Sequence, residues 1–203
     1  VHASMLPKYR GGAPIHQAII DGQATTGVTI MYMAEKLDAG DIISQREIVI
    51  EDTDHTGLLF DKLSEVGKNL LKDTLPSIIN GTNERIVQDE TQVTYASNIS
   101  REQERIDWSK DARTIYNQVR GLHPWPVAYT TFEDATFKIW WAQVGEISTS
   151  AEVGEVIRIE KDFFEVATGD GGSLRILECQ PAGKKRMTAE EFLRGTGSKL
   201  KIG

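Results

Sequence analysis

The sequence predicts an α/β plus β protein, with an α/β segment over residues 1–81, a linker over 82–100 and a small all-β domain over 101–203. Three observations carry this. The runs Gly27–Met33 and Ile42–Ile50 are rich in β-branched and apolar residues and alternate with stretches whose apolar residues recur at helical spacing. Beyond His123 the pattern changes to five short strand-like stretches separated by turn residues. Between these regions lies a polar stretch with little periodicity, which marks a domain boundary.

Val1 to Ala3 reads as the stub of a strand whose beginning has been removed. Pro7, which lacks an amide donor, and the pair Gly11-Gly12, which permits positive φ, predict a loop. Pro14 suits the first turn of a helix that carries Ile15, Ala18, Ile19 and Ile20 and closes before Gly22. Lys8 and Arg10 read as exposed cations at the rim of the loop, facing an anionic substrate or serving solubility, and His16 as a surface position. Gly27–Met33 has no polar alternation beyond Thr29, the pattern of a strand covered on both faces, and Ile42–Ile50 is a second strand. A long helix follows from Asp54 or Thr56 to about Asn80, with Leu59, Leu63, Val66, Leu70, Leu71, Leu75, Ile78 and Ile79 in one apolar stripe assigned to the core. Pro76 should kink it or split off its last turn, Gly81 should stop it, and His55 at its start reads as a surface residue.

In the second half, Ser100 with Gln103 resembles a capping box, and Ser109 opens a helix carrying Ala112, Ile115, Tyr116 and Val119 up to Gly121. His123-Pro124-Trp125-Pro126 is a rigid corner, since each proline fixes φ and pushes the residue before it towards extended geometry. Strands are expected at Val127–Phe132, Thr136–Val144, Val153–Ile159, Phe163–Thr168 and Ser173–Gln180. Five short strands at this spacing suggest a small closed barrel of the oligonucleotide-binding (OB) kind. Gly169-Asp170-Gly171-Gly172 reads as a hairpin turn, because it lacks the following helix and the Lys-Ser/Thr ending of a phosphate loop. Thr188 with Glu191 caps a last helix around Phe192 and Leu193, and Gly195–Gly203 reads as a loose tail.

With 39% hydrophobic and 26% charged residues the chain has an ordinary soluble composition, and no apolar run reaches the length of a membrane span. A cytoplasmic address follows by default, and a single Cys179, unable to form an internal disulfide, agrees with a reducing compartment. The net charge of −7 argues against a general nucleic-acid binder. The charge is uneven, however: Lys184 to Lys201 holds six basic residues (Lys184, Lys185, Arg186, Arg194, Lys199 and Lys201) against Glu190 and Glu191. Such a patch can hold a polyanion, or it can be a solvated C-terminal face.

His2 and Asp38 are the candidate chemical pair. Imidazole exchanges a proton near neutrality, and a carboxylate in a turn after a strand can orient it. A surface histidine and a turn-forming aspartate would give the same pattern. His123 sits in the proline corner and reads as structural, Cys179 as a buried strand residue, and the four histidines have no zinc-type spacing, so no metal is expected.

The words His2-Ala3-Ser4-Met5-Leu6-Pro7-Lys8-Tyr9-Arg10-Gly11-Gly12-Ala13-Pro14, Gly27-Val28-Thr29-Ile30-Met31 and Leu37-Asp38-Ala39-Gly40-Asp41 resemble the folate-dependent formyltransferases. The resemblance runs on through Gln88-Asp89-Glu90, Ile106-Asp107-Trp108, His123-Pro124-Trp125-Pro126 and Pro181-Ala182-Gly183-Lys184-Lys185-Arg186-Met187, a combination similar to the branch that formylates methionyl initiator tRNA. It implies the C-terminal half of a Rossmann-like formyltransferase domain followed by the OB-like barrel. It further implies that His2 and Asp38 are catalytic, that Ser4, Met5, Leu6 and Pro7 line the 10-formyltetrahydrofolate pocket, and that Lys184, Lys185 and Arg186 contact tRNA. The family's catalytic Asn would stand one residue before Val1, and Met5 replaces the first Leu of the pocket segment.

The implied reaction is a direct acyl transfer, in which the amine attacks the formyl carbon and a tetrahedral oxyanion forms and collapses. His2 would stabilise that charge and assist proton transfer while Asp38 holds His2. Without the Asn and the first half of the sheet, the chain alone is expected to be nearly inactive. Relatives with the same N-terminal words formylate a nucleotide-linked amino sugar or hydrolyse formyltetrahydrofolate, and a tRNA-binding module without catalysis is the alternative from another class.

Overall fold

In a computed structural model, which describes all 203 residues, the chain divides into two units, Val1–Ile99 and Ser100–Gly203. In the first, strand β1 (Thr25–Met31) pairs antiparallel with β2 (Ile42–Val49), Thr29 opposite Gln45, with an irregularity at Ile30/Met31. The other edge of β1 is bridged at Thr29 by His2, the two residues exchanging both backbone hydrogen bonds at 2.9 Å. The outer edge of β2 is bridged at Ile42 by Ile86.

Helix α1 (Pro14–Ile20) starts on its proline, as the missing donor there costs nothing, and buries Ile15, Ala18 and Ile19. Helix α2 (Thr56–Ile79) puts Leu59, Leu63 and Leu70 into the core with Val28, Ile30 and Ile50. His55 caps its first turn, Nδ1 accepting from the Leu58 amide. Two expectations about α2 are corrected. No last turn splits off at Pro76, and the helix continues to Ile79, since so near the C-terminus a proline removes little of the ladder, and Ser77 Oγ donates to the Thr74 carbonyl there. The apolar stripe is core only in its first part, with Leu75 and Ile79 exposed.

Residues 82–99, expected to link two domains, are built into the first unit. Ile86 pairs with Ile42, Thr94 and Ala96 bond to the loop at Pro7, Arg10 and Ala13, and Ala96 lies in the core. A short 3-10 turn at Glu90–Gln92 is their one regular element.

The second unit opens with α3 (Arg101–Glu104), whose Ser100–Gln103 capping box is present in both directions. Helix α4 (Ala112–Gly121) is capped by the Asp111 carboxylate on the Thr114 amide, two residues later than Ser109 suggested. Its Ala112, Ile115, Tyr116 and Val119 are buried. Strands β3 (Ala128–Phe132), β4 (Ala135–Val144), β5 (Val156–Ile159), β6 (Phe164–Ala167) and β7 (Ser173–Pro181) form an antiparallel sheet in the order β3-β4-β7-β6-β5. A two-residue strand β8 (Met187–Thr188) joins β7 beyond the part that β6 covers. The Glu133-Asp134 turn has φ of 51° and 61°, the mirror-image geometry that suits the twist of a two-residue hairpin.

The closed OB-like barrel is not what forms. The sheet is open, because no ladder joins β3 to β5. Their free edges are satisfied otherwise: the Ile106 amide donates to Tyr129 O at 2.8 Å, and the Gly203 amide to Val156 O at 3.0 Å. The tail expected to be loose therefore reaches the sheet. Phe132, Phe137, Phe164 and Phe192, the last from α5 (Ala189–Arg194), pack together, edge to face except for the tilted pair Phe164–Phe192. Cys179 is buried in β7.

Candidate active site

The site is built by the loop 2–12 folding over the end of β1 towards the turn 37–40. Because His2 is locked into the ladder with Thr29, its side chain has a fixed origin, and the imidazole is almost wholly buried. Nε2 lies 2.8 Å from the Tyr9 carbonyl, which can only accept, so Nε2 carries a proton. Proton exchange is thereby left to Nδ1, which stands 3.7 Å from Asp38 Oδ2. That separation is too long for a direct hydrogen bond and short enough for strong attraction to a protonated ring.

Tyr9 presents its carbonyl by adopting φ of 57°. Its amide donates to Thr94 Oγ1, and its hydroxyl donates to Asp21 Oδ2 at 2.8 Å while accepting from Gln23. Burial and the neighbouring Asp21 carboxylate push the phenol up to about 12.

Asp38 also sits in the left-handed region, φ 51°. Its Oδ2 accepts from the Gly11 amide at 2.8 Å. Gly11 must be glycine twice over, since its φ is 115° and a Cβ would stand 2.7 Å from the Ala96 carbonyl oxygen. Gln88 Nε2 donates to the carbonyls of Asp38 and Gly40 at 2.8 and 2.7 Å.

Arg10 is not an exposed cation at the rim. It is fully buried, with Nε and Nη2 donating to Gln88 Oε1 and the guanidinium paired with Glu90. Arg10 first, then Lys36, holds the Glu90 carboxyl below its ordinary range. Lys8 remains exposed. In the segment between, the Ser4 hydroxyl is buried and donates to the Lys8 carbonyl at 2.6 Å, and Leu6 is buried with its carbonyl accepting from Gln45. Met5 and Pro7 are half-buried. Met5 lines a cavity of about 100 Å³ together with Lys8, Tyr9, Gln23, Thr25, Thr26 and Glu47.

Of the residues singled out from the sequence, the first unit brings together His2, Asp38 and the loop bearing Ser4, Met5, Leu6 and Pro7. The basic segment lies in the second unit, on the turn between β7 and β8. Lys184 and Lys185 are exposed there, while Arg186 is paired with Glu178 and lies over the Trp140 ring, 4.4 Å from its centroid. His123 packs edge-on against Trp140 and Trp141, Nδ1 within 2.7 Å of the Trp140 carbonyl, as a structural corner would. No group of three or more His, Cys, Asp or Glu gathers as metal ligands, and no helix is long and apolar enough to cross a membrane. Gln88 and Arg10 are the residues that sequence reasoning missed in their present roles. Their signal was the word Gln88-Asp89-Glu90, which stands out from an otherwise unpatterned stretch.

Comparison with known proteins gives the family of both units. A family profile described as "Formyl transferase" matches residues 1–75, and one described as "Formyl transferase, C-terminal domain" matches 98–197. A methionyl-tRNA formyltransferase of Lysinibacillus sphaericus is 75% identical over all 203 residues, and one of Halalkalibacterium halodurans 58%. The chain spans 65% and 64% of the length of these two relatives. Among solved structures, HypX from Aquifex aeolicus in complex with tetrahydrofolic acid superposes on the whole chain with TM-score 0.75 at 19% identity, the chain covering 36% of it. Methionyl-tRNA formyltransferase from Clostridium thermocellum matches 70% of the chain, and 61% of its own, with TM-score 0.55 at 22% identity. At these identities the structural likenesses speak to the fold alone.

Proposed function

The chain belongs to the formyl transferase family, and on that premise we propose that the protein moves a formyl group from 10-formyltetrahydrofolate to the α-amino group of methionyl initiator tRNA, a step of translation initiation. The observation that carries the reading is the pair of buried His2 and half-buried Asp38, held at 3.7 Å with its two outer contacts already fixed. The names of its close relatives support the choice of acceptor.

The chain's own residues fit a folate donor in part. A cavity of about 100 Å³ beside Met5 is smaller than the roughly 300–1,000 Å³ of a full ligand pocket, so it suits one ring of such a molecule. Met5 and Pro7, half-buried, offer apolar contact, while Ser4 and Leu6 act from beneath by fixing the loop.

The donor supplies the activated carbonyl carbon. His2 takes the proton of the attacking amine at Nδ1, the one ring position its Tyr9 contact leaves open, and the resulting cation stabilises negative charge developing on the formyl oxygen. The same proton passes to N10 as the formyl carbon–N10 bond breaks and the folate leaves. Asp38, fixed by the Gly11 amide, stabilises that cation and keeps the ring's orientation. In the second unit, Lys184 and Lys185 reach phosphates of the tRNA.

The reading is tested by offering the natural protein 10-formyltetrahydrofolate with either methionyl initiator tRNA or a nucleotide-linked amino sugar. Formylation of the tRNA alone is expected. Preference for the sugar, or tRNA binding with no transfer to either acceptor, would contradict it.

A further inference from the structure

We propose that Gln88 is a positioning residue that holds Asp38 against His2, with Arg10 as its brace. The left-handed backbone of Asp38 is uncommon for an L-residue, although aspartate tolerates it better than most, and contacts around the turn hold it there. In the turn 37–40 the carbonyls of Asp38 and Gly40 converge on a single side-chain amide, Gln88 Nε2, at 2.8 and 2.7 Å. Both amide hydrogens are thus used. On the other side Gln88 Oε1 accepts from Arg10 Nε and Nη2 at 3.2 and 2.8 Å, so both its lone pairs are used as well. The orientation of the amide follows without ambiguity, because carbonyls lie on one side and a guanidinium on the other.

The arrangement closes on itself. Arg10 is fully buried, and the residue after it, Gly11, donates its amide to Asp38 Oδ2 at 2.8 Å. Gln88 therefore grips Asp38 at both ends, directly at its backbone carbonyl and through Arg10–Gly11 at its carboxylate. Glu90, bridging Arg10 and Lys36 at the surface, completes the brace. Gln88 itself touches neither His2 nor the Asp38 carboxylate, so it acts through position. The importance of Asp38 rests on the formyl-transfer reading, whereas the grip on it does not.

The test uses the natural protein carrying Gln88→Glu or Gln88→Ala. Glutamate keeps a partner for Arg10 and loses both donors to the turn, so it isolates the grip even where alanine prevents folding. Amide exchange at Gly11 and the ring-nitrogen NMR signals of His2 report the carboxylate's position, and the Thr29 amide, bonded to the His2 carbonyl, reports general opening. In Gln88→Glu, Gly11 protection should fall about tenfold or more, and the His2 signals should move while Thr29 keeps its protection. Unchanged Gly11 and His2 signals, or equal loss of protection at Thr29, would overturn the proposal. Formylation measured alongside should lose kcat with KM for tRNA retained. A wild-type protein that transfers no formyl group would sink the functional reading and leave the NMR result standing.

Discussion

Tyr9 serves His2 with its backbone and the loop with its ring: the carbonyl receives His2 Nε2 at 2.8 Å, and the phenol hydroxyl, 2.8 Å from Asp21 Oδ2, anchors the loop to the end of α1. One residue thus fixes the tautomer of the imidazole and the segment that carries it.

Removing the hydroxyl by Tyr9→Phe takes their shared partner from Asp21 and Gln23, which are exposed and rehydrate, and should cost about 0.5–1.5 kcal/mol in chemical denaturation. The same hydroxyl gives a pH signature. Its value rises from 10.0 to about 12, first through burial and then through Asp21. The neutral phenol is favoured by the fold, so its contribution is complete below pH 10.0 and is lost as pH climbs towards 12. Tyr9→Phe should flatten that decline.

Cys179 should be inert in the folded protein. Burial, with Glu178 adding to it, raises the thiol from 9.0 to about 12, and the thiolate is the reactive form. A thiol reagent at neutral pH should label it only after denaturant is added, and prompt labelling of native protein would contradict its burial.

Lys184→Ala with Lys185→Ala should weaken tRNA binding and lower the salt slope by about two, one for each phosphate contact. Adding Arg186→Ala should change the slope little more, because Glu178 already neutralises that guanidinium. Binding measured across a salt series decides this. An unchanged slope in the double variant would remove these lysines from the interface.

Much of the first unit was legible in its sequence. Pro14, Gly22 and Gly81 punctuate the helices, the β-branched run marks β1, and His2 and Asp38, named together from the sequence, lie 3.7 Å apart. What escaped depends on contacts between distant residues. Residues 82–99 carry no period because they bind through isolated bridges and single side chains, and so read as a linker. Arg10 looks exposed until Gln88 and Glu90 are brought to it. The strands of the second unit were readable one by one, but closure depends on whether β3 meets β5, and no local pattern encodes that. The last turns of α2 leave Leu75 and Ile79 exposed, which its continuous apolar stripe concealed.

The pairing of His2 with Asp38 is tested most directly by the turnover of Asp38→Asn in the natural protein, with methionyl initiator tRNA saturating. Asparagine can still accept from the Gly11 amide but cannot stabilise a cationic imidazole. A fall in kcat of about a hundredfold or more, with tRNA affinity kept, is expected; a turnover within about twofold of wild type would contradict the account.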